Sequence, residues 1–458
     1  MPNTTKRGLA VVTLGYFVSR VAFHLLGIRF LGMENINVYL QFIDPPLLEH
    51  DLLRSLYYTS FPPLYNLIVG VMLKLFGESA PAFAILHLFI GWGIALILFR
   101  LMVDLGIGAR LAITATLLFM VLPPMILYEN WLFYSYFETL FFLLAVWSFH
   151  RFVQKAEWPW GLLLFSTCTA LALLNARMMF FVIIIFTLLA WVWRRDLSTK
   201  KLRVTLCSAS PLLLVALVML KNALVFGTFT LDPHFGFHMG NGFVYAAWGD
   251  PETHAVCVKD YPMLLTAPTD FPPAAKVGLE PIPKTGIALL DDPLRSKGKQ
   301  NYNNLYYLEV SKLYSEELGN FISAHPRLYA NFVGWAFLNY WRPSSHYTFF
   351  PRDNLQVLGV YDTAYSQAYP GLWFLYGTAL SFAVAMGWRS RWRDPIAITL
   401  LFMVATVGYN LLAVFVTLGE NDRYKFTIEP LLWVLVVYLV QCLLNAIRQR
   451  KQPALETA

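Results

Sequence analysis

Four carboxylates, Glu34, Asp44, Glu49 and Asp51, lie close together in the first polar segment of an otherwise apolar chain. Aromatic residues surround them in the sequence. A carboxylate held at a membrane surface among aromatic side chains can be tuned to accept the proton of a hydroxyl nucleophile. Asp44 is the first candidate for such a base. The alternative is that these acids are solvated loop residues or helix caps.

A second group of acidic and aromatic residues occupies positions 128–138, with the sequence YENWLFYSYFE. Glu129, with Tyr128 beside it, is a candidate for binding a sugar or for orienting a second acid. The alternative is a helix cap at the membrane interface, flanked by an aromatic belt. Glu138 would lie about two turns inside a membrane span, where an acid is costly unless it is paired or functional.

Arg177 and the segment 420–425 (ENDRYK) carry basic residues that the predicted topology places outside, against the rule that Lys and Arg accumulate inside. A guanidinium can bind two phosphate oxygens at once. Because Arg177 and Arg423 are expected to face the same side, we predict that they form one anion site, and the adjacent Tyr424 is a candidate for binding substrate. The alternatives are that Arg177 snorkels to lipid headgroups and that Arg423 forms a weak surface pair with an aspartate.

Two histidines four residues apart, His234 and His238, occur in the sequence HFGFHMGNG. This spacing suits a metal site on a helix, but the glycines favour a loop. We expect a loop in which His238 contacts substrate, and no metal site. An ordinary solvated loop is the alternative.

Composition places all these residues in a polytopic membrane protein, with 57% hydrophobic and 14% charged residues. Several apolar runs approach the roughly 20 residues that cross a bilayer as a helix. The net charge of +7 comes from basic clusters in short loops, which argues against nucleic acid as a partner.

Placing those basic clusters inside predicts about ten membrane spans. The apolar segment 62–77 is too short for a further span and is expected to be a juxtamembrane or re-entrant helix. The predicted spans are 8–30, 80–104, 110–128, 131–152, 159–176, 179–194, 203–223, 371–388, 394–417 and 426–446.

Four regions follow from this topology. Residues 1–227 form an N-terminal transmembrane module that includes an outward loop at 31–79. Residues 228–370 form a small mixed extracytoplasmic domain with one amphipathic helix at 302–323. Residues 371–447 hold the C-terminal spans, and residues 448–458 form a cytoplasmic tail.

The order of these features resembles the GT-C glycosyltransferases, particularly the bacterial relatives of dolichyl-phosphate-mannose protein mannosyltransferases and of the aminoarabinose transferases that act on lipid A. The resemblance rests on the acidic first outer loop, on FPPLYNLIVGVMLKLFGESAPA, which is similar to the family's Pro-Pro-Leu-Tyr juxtamembrane segment, and on ENDRYKFTIEPLLWVL, which is similar to its Arg-Tyr motif. It covers most of residues 1–187 and the C-terminal helices.

The resemblance implies a GT-C-like helical bundle that moves a sugar from a polyprenyl-phosphate donor to a lipid, glycan or protein acceptor of the cell envelope. The general base would be Asp44, or Glu34 under a shifted alignment, and Arg177 and Arg423 would contact the donor phosphate. No cofactor is required, although a divalent cation is compatible with the chemistry. The implied location is a bacterial inner membrane, with the active site on the periplasmic side.

A transporter or lipid-linked-sugar flippase is the main alternative, since polytopic helices with a few functional charges describe those proteins too. Transporters usually hold ionisable groups near the middle of the membrane, whereas here the acids and outward arginines gather at one surface. A structural or assembly protein is the third possibility. The sequence favours the enzyme.

Overall fold

A computed structural model of the chain describes residues 3–193, 197–266, 282–347, 350–390, 394–414 and 421–451. These residues fold almost entirely into α-helices, and the β pairing among them is limited to two isolated bridges, Leu31 with Trp131 and Leu294 with Gln300. The all-α class is therefore confirmed. The expectation of a mixed outward domain is wrong for its described part, which contains helices and loops.

The N-terminal half contains twelve helices among the described residues. They are α1 (Asn3–Leu25), α2 (Asn35–Val38), α3 (Pro45–His50), α4 (Leu52–Tyr58), α5 (Pro63–Phe76), α6 (Ala80–Asp104), α7 (Ala109–Val121), α8 (Pro123–Glu129), α9 (Ser135–Lys155), α10 (Trp158–Leu174), α11 (Phe181–Val192) and α12 (Leu197–Phe226).

The C-terminal half adds nine helices over the described ranges. They are α13 (Phe235–Gly249), α14 (Pro251–Asp260), α15 (Ala288–Asp291), α16 (Leu305–Ala324), α17 (Pro326–Tyr340), α18 (Arg352–Arg389), α19 (Pro395–Val414), α20 (Asn421–Phe426) and α21 (Glu429–Lys451).

Six of these helices, α1, α6, α12, α18, α19 and α21, are long and apolar enough to cross a membrane. The pair α7 and α8, bent by 61°, would make a seventh. The predicted count of ten spans is not confirmed. Helices α10 and α11 are apolar but shorter: at about 1.5 Å per residue, the 17 residues of α10 extend about 26 Å, against roughly 30 Å of hydrocarbon. The segment predicted as juxtamembrane is the short helix α5.

The bend between α7 and α8 follows from the local sequence. Leu122 precedes Pro123 and is extended, with φ −59° and ψ 144°, because the proline ring disfavours helical geometry in the residue before it. The chain restarts as α8 with Pro123 and Pro124 in its first turn. This change of direction brings Tyr128 and Glu129, at the end of α8, into the interior of the bundle.

Helices α13, α14, α16 and α17, which belong to the segment 228–370 that was predicted to face outward and is called the outward segment below, share a second hydrophobic core. The predicted amphipathic helix is present as α16, which buries one apolar face that includes Val310, Tyr314 and Phe321. Helix α18 starts at Arg352 and continues to Arg389. The predicted boundary at residue 370 therefore falls inside a continuous helix.

The glycine-rich sequence after His234 was expected to be a loop, and this is wrong, because α13 begins at Phe235. A Cβ added at Gly236 would lie 2.0 Å from the carbonyl oxygen of Ser311, and one at Gly240 would lie 2.4 Å from the ring of Tyr314. The two glycines are four residues apart and lie on one face. They allow α13 to pack closely against α16.

Candidate functional site

Arg177 and Arg423, which are 246 positions apart in the sequence, pack against the same aromatic ring. The guanidinium carbon of Arg177 lies 3.5 Å from the ring centroid of Tyr424, and that of Arg423 lies 4.5 Å from it. The side chain of Arg177 is 12% exposed, and Arg423 is buried. The structure thus brings together two of the residues singled out in the sequence.

Glu138 lies beside these arginines and is fully buried in the first turn of α9. Its Oε2 atom is 3.8 Å from Nη2 of Arg177, which is an ion pair but too long for a hydrogen bond. Both carboxylate oxygens of Glu138 and all three side-chain nitrogens of Arg177 are buried without a hydrogen-bond partner among the described residues. Buried polar atoms are ordinarily hydrogen-bonded, so this arrangement is typical of a site that receives a polar ligand.

The backbone around Arg177 is fixed by two neighbours. Arg177 lies in a short 3-10 helix between α10 and α11, where the side chain of Asn175 accepts a hydrogen bond from its backbone N–H at 3.3 Å. Tyr409 of α19 donates its hydroxyl hydrogen to the carbonyl oxygen of Arg177. These contacts hold the start of α11 against α19.

Arg423 is held by polar and aromatic contacts. Its Nη1 donates to the hydroxyl of Ser135 at 3.3 Å, and its guanidinium carbon lies 4.6 Å and 5.1 Å from the rings of Phe133 and Tyr134. Phe133 and Tyr134 directly precede α9, so the sequence that introduces Glu138 also surrounds Arg423. Glu420, from the same predicted motif, lies outside the described residues.

Lys425, which was predicted to face out with Arg423, belongs to a separate network. Its Nζ atom lies 3.4 Å from Oε1 of Glu429 and donates to the carbonyl of Arg342 and to the hydroxyl of Tyr369. Glu429 also accepts a hydrogen bond from Ser344 at 2.8 Å. Because both charges are paired inside the protein, Lys425 contributes to packing between α20 and α21.

Asp44 precedes α3 and is half-buried at the rim of a cavity of about 270 Å³. Its two carboxylate oxygens accept hydrogen bonds from Ser296, one from the backbone N–H at 2.9 Å and one from the hydroxyl at 2.7 Å. Arg295 is buried behind it, and this burial lowers the pKa of Arg295 to about 10, against the opposite effect of Asp44. A carboxylate has about four acceptor positions, so Asp44 retains some for a ligand.

The other acids of the first outward loop have different surroundings. Glu34, the alternative base, precedes α2 and is exposed, as is Glu49. Asp51 is half-exposed and lies 3.9 Å from Arg54. Asp44 is therefore the member of this group that lines a cavity.

Aromatic side chains lie between Asp44 and the arginine pair. Arg295 donates to the carbonyl of Tyr39 at 2.9 Å, and the ring of Tyr39 is 5.4 Å from that of Phe133, which contacts Arg423. On the other side of Arg423, the ring of Tyr134 lies 5.9 Å from that of Tyr65 in α5. The segment that binds Asp44 is thus connected to Arg423 through two intervening aromatic residues, Tyr39 and Phe133.

Glu129, predicted to bind a sugar, is buried and fully engaged by protein groups. Arg20 of α1 donates to it twice, at 2.9 Å and 2.7 Å, and the hydroxyls of Tyr16 and Tyr136 donate at 3.0 Å and 2.7 Å. Gly91 of α6 leaves space for these groups. A Cβ at this position would lie within 2.5 Å of the hydroxyl oxygens of Tyr136 and Tyr16 and of Oε2 of Glu129. The geometry therefore indicates a structural role.

Tyr128, the other predicted contact of the sugar, is also buried, and its ring stacks on that of Phe426 at 3.6 Å. Arg20 was not predicted from the sequence as the partner of Glu129. A signal was present, because an arginine inside a predicted span must find a partner.

His238 and His234 lie near the loop that leads into α5. His238 is partly exposed, with Nε2 3.7 Å from Oδ1 of Asp232. His234 is buried, stacks on Phe61 and shares a 2.7 Å hydrogen bond with the hydroxyl of Ser60. Burial, together with the charge of His238, lowers the pKa of His234 to about 3. His234 therefore stays neutral and joins the outward segment to the first loop.

Over the described ranges, no cluster of three or more His, Cys, Asp or Glu side chains could hold a metal ion. Comparisons with known proteins return no match: no family model fits the chain, and no curated protein and no solved structure is matched. Function therefore has to be inferred from the residues and their geometry.

Proposed function

We propose that this protein is a membrane glycosyltransferase that moves a sugar from a polyprenyl-phosphate donor to an acceptor on the outer face of the membrane. The observation that carries the proposal is that Arg177 and Arg423 pack on the same ring, that of Tyr424, and that the side-chain nitrogens of Arg177 are buried without a hydrogen-bond partner among the described residues. Two guanidiniums offer the donors that a phosphate requires. Their low exposure strengthens the interaction with an anion, because water screens it less.

The reaction is an inverting displacement. Asp44 takes the proton of the acceptor hydroxyl, whose oxygen forms a bond to the anomeric carbon of the sugar. The bond from that carbon to the phosphate oxygen breaks, and the lipid phosphate leaves with the electron pair. Arg177 and Arg423 stabilise the charge on this leaving group. A divalent cation would act on the same phosphate, but no step requires it.

The proposed partners are a polyprenyl-phosphate sugar, membrane lipids and a cell-envelope acceptor, and the proposed location is a bacterial inner membrane with a periplasmic active site. Basic clusters in short loops support this orientation. The helices that are long and apolar enough to span a membrane support the integral location.

A flippase or transporter of the same lipid-linked sugar is the second candidate. The buried Glu138 and Arg177 favour it, since ionisable groups enclosed by apolar helices often lie on transport pathways. Such a protein would bind the donor at the same arginines but break no bond. The two candidates therefore differ in whether sugar is released from the carrier.

Transfer of radiolabelled sugar from a polyprenyl-phosphate donor by purified protein separates the two. We expect Asp44→Asn to lower turnover about 10²- to 10⁴-fold, the usual contribution of a general base, with donor binding retained. The matched control is Glu49→Gln, an exposed acid of the same loop, which should leave turnover unchanged. Normal turnover in Asp44→Asn would remove this residue from the mechanism.

The arginines are tested by donor binding. Arg177→Gln and Arg423→Gln should each weaken binding of the polyprenyl-phosphate sugar, while Arg54→Gln, at an exposed arginine, should not. Donor binding without sugar transfer, under all acceptor conditions, would favour the flippase. Unchanged donor binding in both variants would contradict the phosphate site itself.

A further inference from the structure

The cavity at Asp44 is bounded by two segments that are far apart in the sequence. Asp44 and Leu47 come from the first outward loop, and Asp292, Leu294, Arg295 and Ser296 come from the segment after α15. Its volume is about 270 Å³. The outward segment thus contributes a wall to the site of the proposed base.

This wall is held in place by buried hydrogen bonds. The guanidinium of Arg295 is inserted into the first loop, where it donates to the carbonyl oxygens of Ile36 at 3.2 Å and Tyr39 at 2.9 Å. Asn301 ties the segment to itself by donating to the carbonyls of Leu289 and Asp292, both at 2.8 Å. A cavity whose walls are fixed before the ligand arrives binds at a lower entropic cost.

The groups that the cavity offers to a ligand are mainly acceptors. Asp292 is exposed, and its carboxylate forms no hydrogen bond with any residue that the structure describes. Asp44 retains acceptor positions, whereas terminal nitrogens of Arg295 are already bonded to carbonyls. Two carboxylates outnumber the one guanidinium of Arg295 in the lining, so a phosphate or carboxylate ligand is disfavoured, whereas the carboxylates can accept hydrogen bonds from several hydroxyls.

We infer that this cavity is the acceptor site and that it binds an uncharged, hydroxyl-rich group such as a hexose unit. Asp44 accepts the proton of the attacking hydroxyl, and Asp292 holds a second hydroxyl and so orients the ring. Ser296 is a positioning residue, because it fixes both oxygens of Asp44. This inference rests on the proposed glycosyltransferase function for its role, but the class of ligand can be tested separately.

Saturation-transfer NMR on the full-length protein in detergent can detect weak binding of methyl glucoside and methyl mannoside, with methyl glucuronide as the anionic probe. Leu294→Trp should block the cavity and abolish the glycoside signal. The matched control Val258→Trp, at an exposed residue of α14 outside the cavity, should retain it. Asp292→Asn should raise the dissociation constant about tenfold, as expected for loss of a hydrogen bond to a charged group.

Glycoside binding that persists in Leu294→Trp, or glucuronide binding equal to that of the glucosides, would overturn the inference. Slow hydrolysis of the donor by water, measured on the same variants, reports on the arginine site independently. Hydrolysis that continues in Leu294→Trp while transfer to a glycoside stops supports the acceptor site. If no variant hydrolyses the donor or transfers its sugar, the proposed function fails. The NMR experiment still decides which class of ligand the cavity binds.

Discussion

Replacing Arg20 by methionine is expected to destabilise the helical bundle strongly, because Glu129 would remain buried without its counter-ion. The side chains of Arg20 and Glu129 are 9% and 5% exposed, and the substitution removes both hydrogen bonds to Glu129, at 2.9 Å and 2.7 Å, and those to Ser19 and to the carbonyl of Met120. Breaking one partner of a buried ion pair costs about 3–5 kcal/mol. Methionine keeps most of the apolar stem, so the lost charge dominates the effect.

The measurement is the unfolding free energy in mixed micelles, obtained from circular dichroism as the fraction of SDS rises. Arg54→Met is the matched control, since Arg54 and its partner Asp51 are 61% and 52% exposed and 3.9 Å apart. An exposed pair of this kind contributes about 0–1 kcal/mol. The double variant Arg20→Met/Glu129→Gln should recover much of the loss, because no uncompensated charge then remains.

Two results would refute this reasoning. One is an unfolding free energy of Arg20→Met no lower than that of Arg54→Met, which would mean that the buried pair contributes little. The other is a double variant less stable than the single one, which would mean that Glu129 stabilises the bundle without Arg20. A loss of sugar transfer in the double variant, with stability recovered, would return Glu129 to the list of functional residues.

Two further predictions concern the outward segment. His234 has a pKa of about 3 in the folded protein and an ordinary pKa near 6.5 in the unfolded chain. Its contribution to the free energy of unfolding is therefore fully present above pH 6.5 and is lost as the pH falls towards 3. The loss is at most about 1.4 kcal/mol per pH unit. The melting temperature of His234→Gln should therefore fall less steeply with acid than that of the wild type or of the exposed control His50→Gln; equal slopes would contradict this. Gly236→Ala should cost about 1–3 kcal/mol, since the new Cβ would collide with the carbonyl of Ser311, and Gly249→Ala, with open space around it, should have almost no effect on the melting temperature. Equal melting temperatures for the two glycine variants would show that α13 and α16 can separate at little cost.

Features that depend on local periodicity and hydrophobicity could be predicted from the sequence. Helix α16 and the short helix α5 are such features, as is the helical membrane class itself. The predicted count of ten spans is not confirmed, because apolar composition alone does not reveal that α10 and α11 are shorter than the six helices long enough to cross a bilayer. Arg177 and Arg423 were singled out because the predicted topology places them outside, against the rule that basic residues lie inside. Their shared contact with Tyr424 depends on packing between distant helices and could not be predicted.

Contacts across long sequence separations could not be predicted. Nothing in the sequence links Asp44 to Ser296, 252 positions away, because their pairing depends on how the outward segment folds over the first loop. A loop was predicted around Gly236 and Gly240 because glycine has a low helix propensity. Close packing against α16 overrides that propensity, and the four-residue spacing was the available signal.

Helix α18 has a practical consequence for dissecting the protein. Its 38 residues extend about 57 Å, nearly twice the roughly 30 Å of hydrocarbon in a bilayer, so part of the helix must extend beyond the hydrocarbon. Near its N-terminal end, Asn354 bonds both the backbone N–H and the carbonyl of Arg29. A soluble fragment that ends at residue 370 would divide α18 in two. A segment exchanged with another protein must therefore contain the whole helix.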